Sequence, residues 1–344
     1  MAFVEVDGSE GEGGGQILRT AVAFAAITHR PVRVTRIRAG RQVPGLKRQH
    51  VSALGVLQKA FGGELQGASE GSSAVSFVPG DARLGELSLD MGTAASITLV
   101  LQAVVPAVAL SGRTLRLELI GGTDVPWSPT FDYFAHVVRS AFREMGVLYD
   151  VDVARRGYYP RGGGRVTSTI QPCASVSALD LVARDSVAGV TLTSRCGNLP
   201  RHVAERQLSA ASELLETKGI RVTAREVSEE PSDSPGSSIL AHFVGAGTFL
   251  GSDGIGAKGR RAEEVGREAG TRFAAESGSG ACVDANLADM VLPLLSLASS
   301  RSRVRVREVT PHLRSGMEIA RLFTSCGWSV DPGELSSVVT VTPA

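Results

Sequence analysis

His312 is the residue in this chain best placed to do chemistry. It lies in Thr310-Pro311-His312-Leu313-Arg314-Ser315-Gly316, between an Arg/Val alternation from Arg303 to Arg307 and the helix-like run Met317-Glu318-Ile319-Ala320-Arg321-Leu322-Phe323. Pro311 suits the first turn of a helix, where its missing N–H costs nothing. The imidazole is therefore expected at a helix N-terminus, where free backbone N–H groups and the dipole attract anions and disfavour imidazolium. A neutral imidazole in that position can attack a phosphorus atom. A capping or surface histidine is the plainer reading of the same residues.

Other segments offer partners for such chemistry. Glu10-Gly11-Glu12-Gly13-Gly14-Gly15-Gln16 precedes an apolar helix-like run. Its glycines let backbone approach a ligand closely, and its place before a helix favours phosphate. It has neither the GK[ST] of a P-loop nor the spacing of the dinucleotide fingerprint, and a tight strand-to-helix turn also accounts for it. Glu12 would repel an anion there unless a divalent metal lay between them. The segment from Arg36 to His50, RIRAGRQVPGLKRQH, concentrates cations. Arg38, Arg41 and Arg48 can act as guanidinium forks for phosphate oxygens or form a solvated rim. Gly121 to Pro129, GGTDVPWSP, can present backbone donors, Thr123 and a flat proline or indole face to a base, or can be an ordinary strand-to-helix loop. Arg156 to Val166, RGYYPRGGGRV, is compatible with an RNA-backbone contact or with a wide turn. His202 in LPRHVAER shares a helical face with Arg206, with no nucleophile or metal partner beside it, and reads as structural or peripheral.

These residues need elements to hold them, and one arrangement recurs. A small-residue loop leads into an apolar helix at Gly11–Gln16 into Ile17–Ile27, at Met91–Ser96 into Ile97–Leu110, and at Ser277–Ala281 into Asn286–Ala298. A second helix follows each, starting near Pro44, Pro129 and Pro311 and ending near Gly62-Gly63, Gly146 and Gly327, the usual helix punctuation. Strand-like segments separate them at Val32–Ile37, Ala74–Val78, Thr114–Leu119, Arg165–Ile170, Val304–Val309 and Val338–Val341. The first two copies lie roughly 80–85 residues apart and the last two roughly 180, which leaves room for a small inserted domain. The expectation is an α/β chain of α+β type: three βαβ-like units in one body, with an α/β insert before the third. Residues 1–184 would carry units one and two, 185–277 the insert, and 278–344 the third unit with His312.

Composition narrows the function classes. Across 344 residues, 36 Lys and Arg against 35 Asp and Glu give a net charge of +1, so there is no global polyanion signal. Only Lys47, Lys59, Lys218 and Lys258 are lysines; the other basic residues are Arg, which suits bidentate phosphate contacts without proving them. Cys173, Cys196, Cys282 and Cys326 lack metal-ligand spacing and are expected as buried free thiols. The first residues show no basic-then-apolar leader, and the apolar run Ile97–Leu110 is too short to span a bilayer. A cytoplasmic protein is expected.

Taken in order, EGEGGGQILR, IRAGRQVPGLKRQH, IGGTD, RGYYPRGGGRV and LPRHVAER resemble the RNA 3′-terminal phosphate cyclase family over essentially the whole chain. The resemblance implies three βαβαββ-type units, related to the C-terminal domain of translation initiation factor 3, and a smaller inserted α/β domain. It implies an ATP-dependent ligase for RNA ends. A histidine takes AMP from ATP, AMP passes to the RNA 3′-phosphate, and the neighbouring 2′-hydroxyl closes a 2′,3′-cyclic phosphate and releases AMP. On this chain the family's nucleophile falls on His312 and its metal-linked carboxylate on Glu12, with Mg²⁺ or Mn²⁺ expected. Its phosphate and RNA-end contacts fall on Arg19, Arg38, Arg41 and Gln49. Its nucleotide contacts fall on Gln102, Pro129 and the run Asn286, Leu287, Ala288, Asp289 and Met290. Asn286 stands where many members have an aromatic ring or histidine, and Arg314-Ser315-Gly316 replaces a common Thr-Asn pair. A cyclase-like ribosome-assembly protein that binds RNA without chemistry is the alternative, and His312 argues against it. An enolpyruvyl transferase would need no histidine nucleophile and no RNA.

Overall fold

A computed structural model describes residues 2–11, 14–81 and 85–344. The short alternating segments become strands, with one side chain in two buried: Val32 and Val34 point inward while Arg33 points out. β1 (Val4–Asp7), α1 (Gly15–Thr28), β2 (Val32–Thr35), α2 (Arg48–Phe61), β3 (Glu64–Gln66) and β4 (Val75–Val78) form the first unit. Its sheet runs β1-β2-β4-β3, with β1 and β2 parallel and the other pairs antiparallel.

The next stretch has the same order and directions. β5 (Gly85–Asp90), α3 (Ile97–Leu110) and β6 (Leu115–Gly121) lead into a helix built from α4 (Phe131–Tyr133), a π-helical turn (Phe134–Val138) and α5 (Arg139–Glu144). β7 (Tyr149–Arg155) and β8 (Gly164–Ile170) complete a sheet ordered β5-β6-β8-β7.

β9 (Asp180–Leu181) is followed by β10 (Val190–Gly197), α6 (His202–Thr217), β11 (Val222–Glu229), β12 (Gly236–Gly245), β13 (Thr248–Ile255) and α7 (Ala262–Gly278). β10 to β13 make a separate sheet, β11-β10-β12-β13, on which α6 and α7 pack around Leu192, Leu215, Ile239 and Phe273. The chain then forms α8 (Ala285–Val291), a 3₁₀ segment (Leu292–Leu297), β14 (Ser302–Val306), α9 (Pro311–Thr324), β15 (Gly327–Pro332) and β16 (Ser337–Thr342). β14 pairs in parallel with β9 and antiparallel with β16, giving the order β15-β16-β14-β9. The last sheet thus takes its first strand from before the β10–α7 stretch.

One large core joins the other three sheets. α1 and α3 are apolar on most faces because each is covered on most faces: Leu18, Val22 and Ala25 of α1 and Leu101, Val104 and Val108 of α3 are at most 2% exposed. Phe24 of α1 meets Phe323 of α9 with ring centroids 5.9 Å apart, and Arg30 donates to the carbonyls of Leu322 and Phe323 at the C-terminal end of α9. Helices of the first and last units are thereby held together around the place where α1, α3, α8 and the start of α9 meet. All four cysteines are buried and unpaired, and among the described residues no helix is long and apolar enough to cross a membrane.

Some elements depart from the sequence reading. The apolar run Asn286–Ala298 is not one α-helix: α8 ends at Val291 and the chain tightens into the 3₁₀ segment, where Pro293 has no N–H to continue an α-helical ladder. α2 begins at Arg48 rather than near Pro44, because Gly45 turns through a left-handed backbone (φ +81°) and the helix starts only after it. β13 was hidden by its glycines and Asp253, and β1, β5 and β9 by shortness or by half-exposed edges without a clean apolar face.

Candidate active site

α9 starts as its residues dictate. Thr310 is the N-cap, its hydroxyl accepting from the Leu313 N–H at 2.9 Å, and Pro311 is the first helical residue. His312 therefore sits in the first turn, partly exposed. The Thr310 hydroxyl also donates to Oδ1 of Asp289, which ties the cap of α9 to α8. From the other side Gln16, in the first turn of α1, donates through Nε2 to the His312 carbonyl at 3.1 Å. The glycine loop presses on the same turn: a Cβ on Gly11 would stand 2.3 Å from the Ser315 hydroxyl.

Beside this turn lies a cleft lined by α1, α3, α8 and the 3₁₀ segment. Its polar groups are Gln16, Arg19, Thr20, Gln102 and Asp289, and Phe24, Leu99, Pro106 and Pro293 are among its apolar walls. Pro106, inside α3, has no N–H for the carbonyl of Gln102, so that carbonyl lacks its i+4 donor on the helix that lines the cleft. The cleft thus offers an apolar slot with a few polar groups at fixed places, the general form of a small-molecule site. Arg19 makes no ion pair among the described residues, and burial pulls its pKa down to about 10, which leaves it a cation at neutral pH. A guanidinium in a cleft wall with no such pair has donors that a phosphate or carboxylate can use.

His50 links this cleft to the arginine loop. It is 4% exposed in the first turn of α2, and its Nδ1 accepts from the Lys47 N–H at 3.0 Å. Burial, and then the charges of Arg19, Arg38 and Lys47, push its pKa down to about 4. Gly15 is required beneath it: a Cβ there would come within 2.4 Å of the His50 Nε2. Arg38 is itself buried, in a left-handed backbone (φ +55°), and donates to the Gly45 carbonyl at 2.9 Å. One arm of its guanidinium shapes the loop, and burial followed by Arg41 lowers its pKa. Arg41 reaches the glycine loop, 4.0 Å from where a Cβ on Gly14 would stand.

Of the residues singled out in the sequence, Arg19, Gln102, Asp289 and Met290 share the cleft wall. His312 adjoins it through Gln16 and the Asp289–Thr310 bond. Pro129 is joined to α3 by its carbonyl, which accepts from Thr98 at 2.8 Å. Asn286 is exposed in the first turn of α8, whereas Leu287 and Ala288 are fully buried in the core, so only their backbone can serve a ligand. Gln49 is exposed at the start of α2 and does not line the cleft. Glu12 lies outside the described residues.

Three participants were missed. Gln16 was legible: Gln16, Arg19, Thr20 and Ala23 follow the i, i+3, i+4, i+7 spacing of one helical face, and all line the cleft. Asp253, on β13, accepts from the Thr130 N–H at 2.6 Å and is pushed up by burial. Asp284 caps α8, accepting from the Leu287 N–H, the Tyr133 hydroxyl and the Gly251 N–H. No local signal marks Asp253, whose partner is remote in sequence; Asp284 is a legible helix cap, but its bonds to Tyr133 and Gly251 are not local.

A mixed α/β body with an apolar slot, a cationic arginine in the cleft wall and, beside the cleft, a histidine at a helix start has the groups that a phosphate ester needs. A family profile for RNA 3′-terminal phosphate cyclase matches residues 10–330. The chain is 42% identical over 323 residues to the RNA 3′-terminal phosphate cyclase of Pyrococcus furiosus, covering 93% of each chain. It is 42% identical over 330 residues to that of Desulfurococcus amylolyticus, covering 94% of this chain and 92% of the other. It is 40% identical over 346 residues to that of Thermococcus kodakarensis, covering 99% of this chain and all of the other. The chain belongs to the RNA 3′-terminal phosphate cyclase family.

Proposed function

We propose that this protein is an ATP-dependent RNA 3′-terminal phosphate cyclase with His312 as nucleophile. The observation that carries the reading is the convergence of Gln16, Arg19, Gln102 and Asp289 on one cleft, with Gln16 and Asp289 each tied to the first turn of α9. An imidazole nitrogen of His312 bonds to the α-phosphorus of ATP and the bond to the bridging oxygen breaks, releasing pyrophosphate. An oxygen of the RNA 3′-phosphate then attacks that phosphorus and the histidine departs. The 2′-hydroxyl attacks the 3′-phosphorus, loses its proton and expels AMP, leaving the 2′,3′-cyclic phosphate. Arg19 holds phosphate oxygens, with Arg38 and Arg41 on the adjoining loop and Gln49 at the start of α2 towards the RNA end. Gln102, Pro129 and the exposed start of α8, from Asn286 to Met290, hold the nucleotide.

Among the described residues no three His, Cys, Asp or Glu side chains cluster to cage a metal. An ion held mainly by nucleotide phosphates needs only one or two carboxylates, and Glu12 is the one we assign to Mg²⁺ or Mn²⁺. Such an ion would neutralise developing phosphate charge. We also assign residues 185–277 to an inserted unit, supported by its separate apolar cluster.

The test is incubation with α-labelled ATP and divalent metal, then denaturing electrophoresis, for the wild type and His312→Ala. Label on the wild type alone is expected. Equal label on both removes His312 as the nucleophile. Absence of label on folded, ATP-binding wild type, with RNA present as well as absent, leaves an RNA-binding protein without this chemistry.

A further inference from the structure

The loop between β6 and α4 carries a feature that ATP chemistry does not use. Trp127 is 97% exposed and stands in a left-handed backbone, φ +62°. That conformation is costly for a bulky residue and persists only where its surroundings enforce it. Here they do. On one side the buried Asp124 is held by Arg156 and by the Thr123 hydroxyl; on the other, the Thr130 N–H is held by Asp253; between them the Ser128 hydroxyl bonds the Val125 carbonyl at 2.8 Å. A strained, fixed turn thus presents an entire indole to solvent, although tryptophan is among the residues with most to gain from burial.

Its neighbours share the character. The turn that follows β7 is bridged to this loop through Asp124 and Tyr158, and its tip carries Tyr159, 66% exposed, and the exposed Arg161. Arg161 makes no ion pair among the described residues. That turn sits on the residues just before α3, since a Cβ on Gly162 would meet Ala94 at 2.8 Å. On the other flank of the same residues Arg48 reaches Gly92, its guanidinium 3.4 Å from where a Cβ would stand. The Trp127 loop, the turn that bears Tyr159 and Arg161, and the Arg48 guanidinium therefore all adjoin the start of α3, the helix whose next turns line the cleft with Leu99 and Gln102.

We propose that Trp127, with Tyr159, Arg161 and Arg48, is a docking track for the single-stranded RNA that leads to the reacting 3′-end: bases stack on the rings and the guanidinium groups hold backbone phosphates. Ring stacking tolerates any base and suits an enzyme that must accept many RNA ends. The identity of the ligand rests on the cyclase reading above.

Trp328 is the other tryptophan, so Trp328→Phe leaves Trp127 as sole reporter. That protein is titrated with a 3′-phosphorylated RNA decamer and, separately, with ATP. The decamer is expected to quench indole emission well beyond any change that ATP bound near Pro129 produces. Trp127→Ala removes no buried contact and should raise the decamer Kd roughly 5- to 150-fold, with a much smaller change for a 3′-phosphorylated dinucleotide and partial rescue by Trp127→Phe. Three outcomes overturn the track: decamer binding with unchanged emission, equal quenching by ATP alone, or a blue shift that follows protein concentration without ligand and marks a second copy on the indole. The two readings fail separately. Cyclisation with a silent indole removes the track and keeps the enzyme, whereas quenching by RNA without cyclisation keeps the track and removes the enzyme.

Discussion

His50 shows how far one buried side chain is governed by its surroundings. Its ordinary value of 6.5 falls to about 4 in the fold, because burial and three nearby cations all penalise the charged ring. The unfolded chain therefore binds a proton that the folded one refuses. This contribution to stability is full above pH 6.5, falls as the pH drops through the window from 6.5 to about 4, and then levels off. The whole difference corresponds to about 3 kcal/mol. His50→Asn keeps an acceptor for the Lys47 N–H and removes the titration. Urea unfolding at pH 7 and pH 4.5 should show the wild type losing about 2–3 kcal/mol more than the variant between the two conditions. An equal loss in both proteins would mean that His50 takes up its proton as readily in the fold as out of it. Gly316 shows close packing at the same scale. A Cβ there would meet Pro293 at 2.9 Å and lie 3.7 Å from the Gln16 Nε2, so a larger side chain must displace the 3₁₀ segment that walls the cleft.

At the level of elements, the start of α9 matters most. Thr310 closes two interactions with one hydroxyl: it caps the helix and donates to Asp289. Thr310→Ala should cost about 1 kcal/mol of stability through the lost cap. It should lower histidine adenylylation by more than that, since His312 and Asp289 lose their common tether. Thr310→Ser keeps the hydroxyl and should restore both. Thermal unfolding read beside the rate of ATP-dependent labelling separates the effects, and unchanged labelling in Thr310→Ala would show that the tether does not position the site. The cap itself was legible, because Thr-Pro before a polar-apolar run is local punctuation. The break between α8 and the 3₁₀ segment was not read, because the run's uniform apolarity outweighed a single proline. Yet that break brings Met290, Pro293 and Leu294 to the cleft.

Over the whole molecule, Arg156 joins the second unit to the β10–α7 stretch. It is 1% exposed and pairs with Asp124 at 3.2 Å, Asp132 at 3.0 Å and Glu230 at 2.6 Å, while its guanidinium lies 5.1 Å from the Phe131 ring centroid. Its backbone N–H donates to the Pro231 carbonyl, and Arg195 closes the network onto Asp132 and Glu230. RGYYPRGGGRV is therefore a turn with a buried ionic root and an exposed tip at Tyr159, Pro160 and Arg161. Arg156→Met would strand two buried carboxylates and should cost about 3–5 kcal/mol, with part recovered in Asp124→Asn/Arg156→Met. Chemical denaturation checks this, and a loss below about 1 kcal/mol would mean that the carboxylates find other partners or protonate without penalty.

What the sequence determined by itself was local: which segments were apolar enough to be buried, where helices were punctuated, and that a histidine would stand at a helix start. Those properties depend on backbone geometry and on neighbours a few residues away. Tertiary structure decided which of these pieces meet. It put Gln16 under the His312 carbonyl, turned Leu287 and Ala288 into the core, buried His50 between cations and gave Arg156 its carboxylates. Most of the partners are dozens to hundreds of residues distant, and desolvation and ion pairing exist only once those partners are packed together.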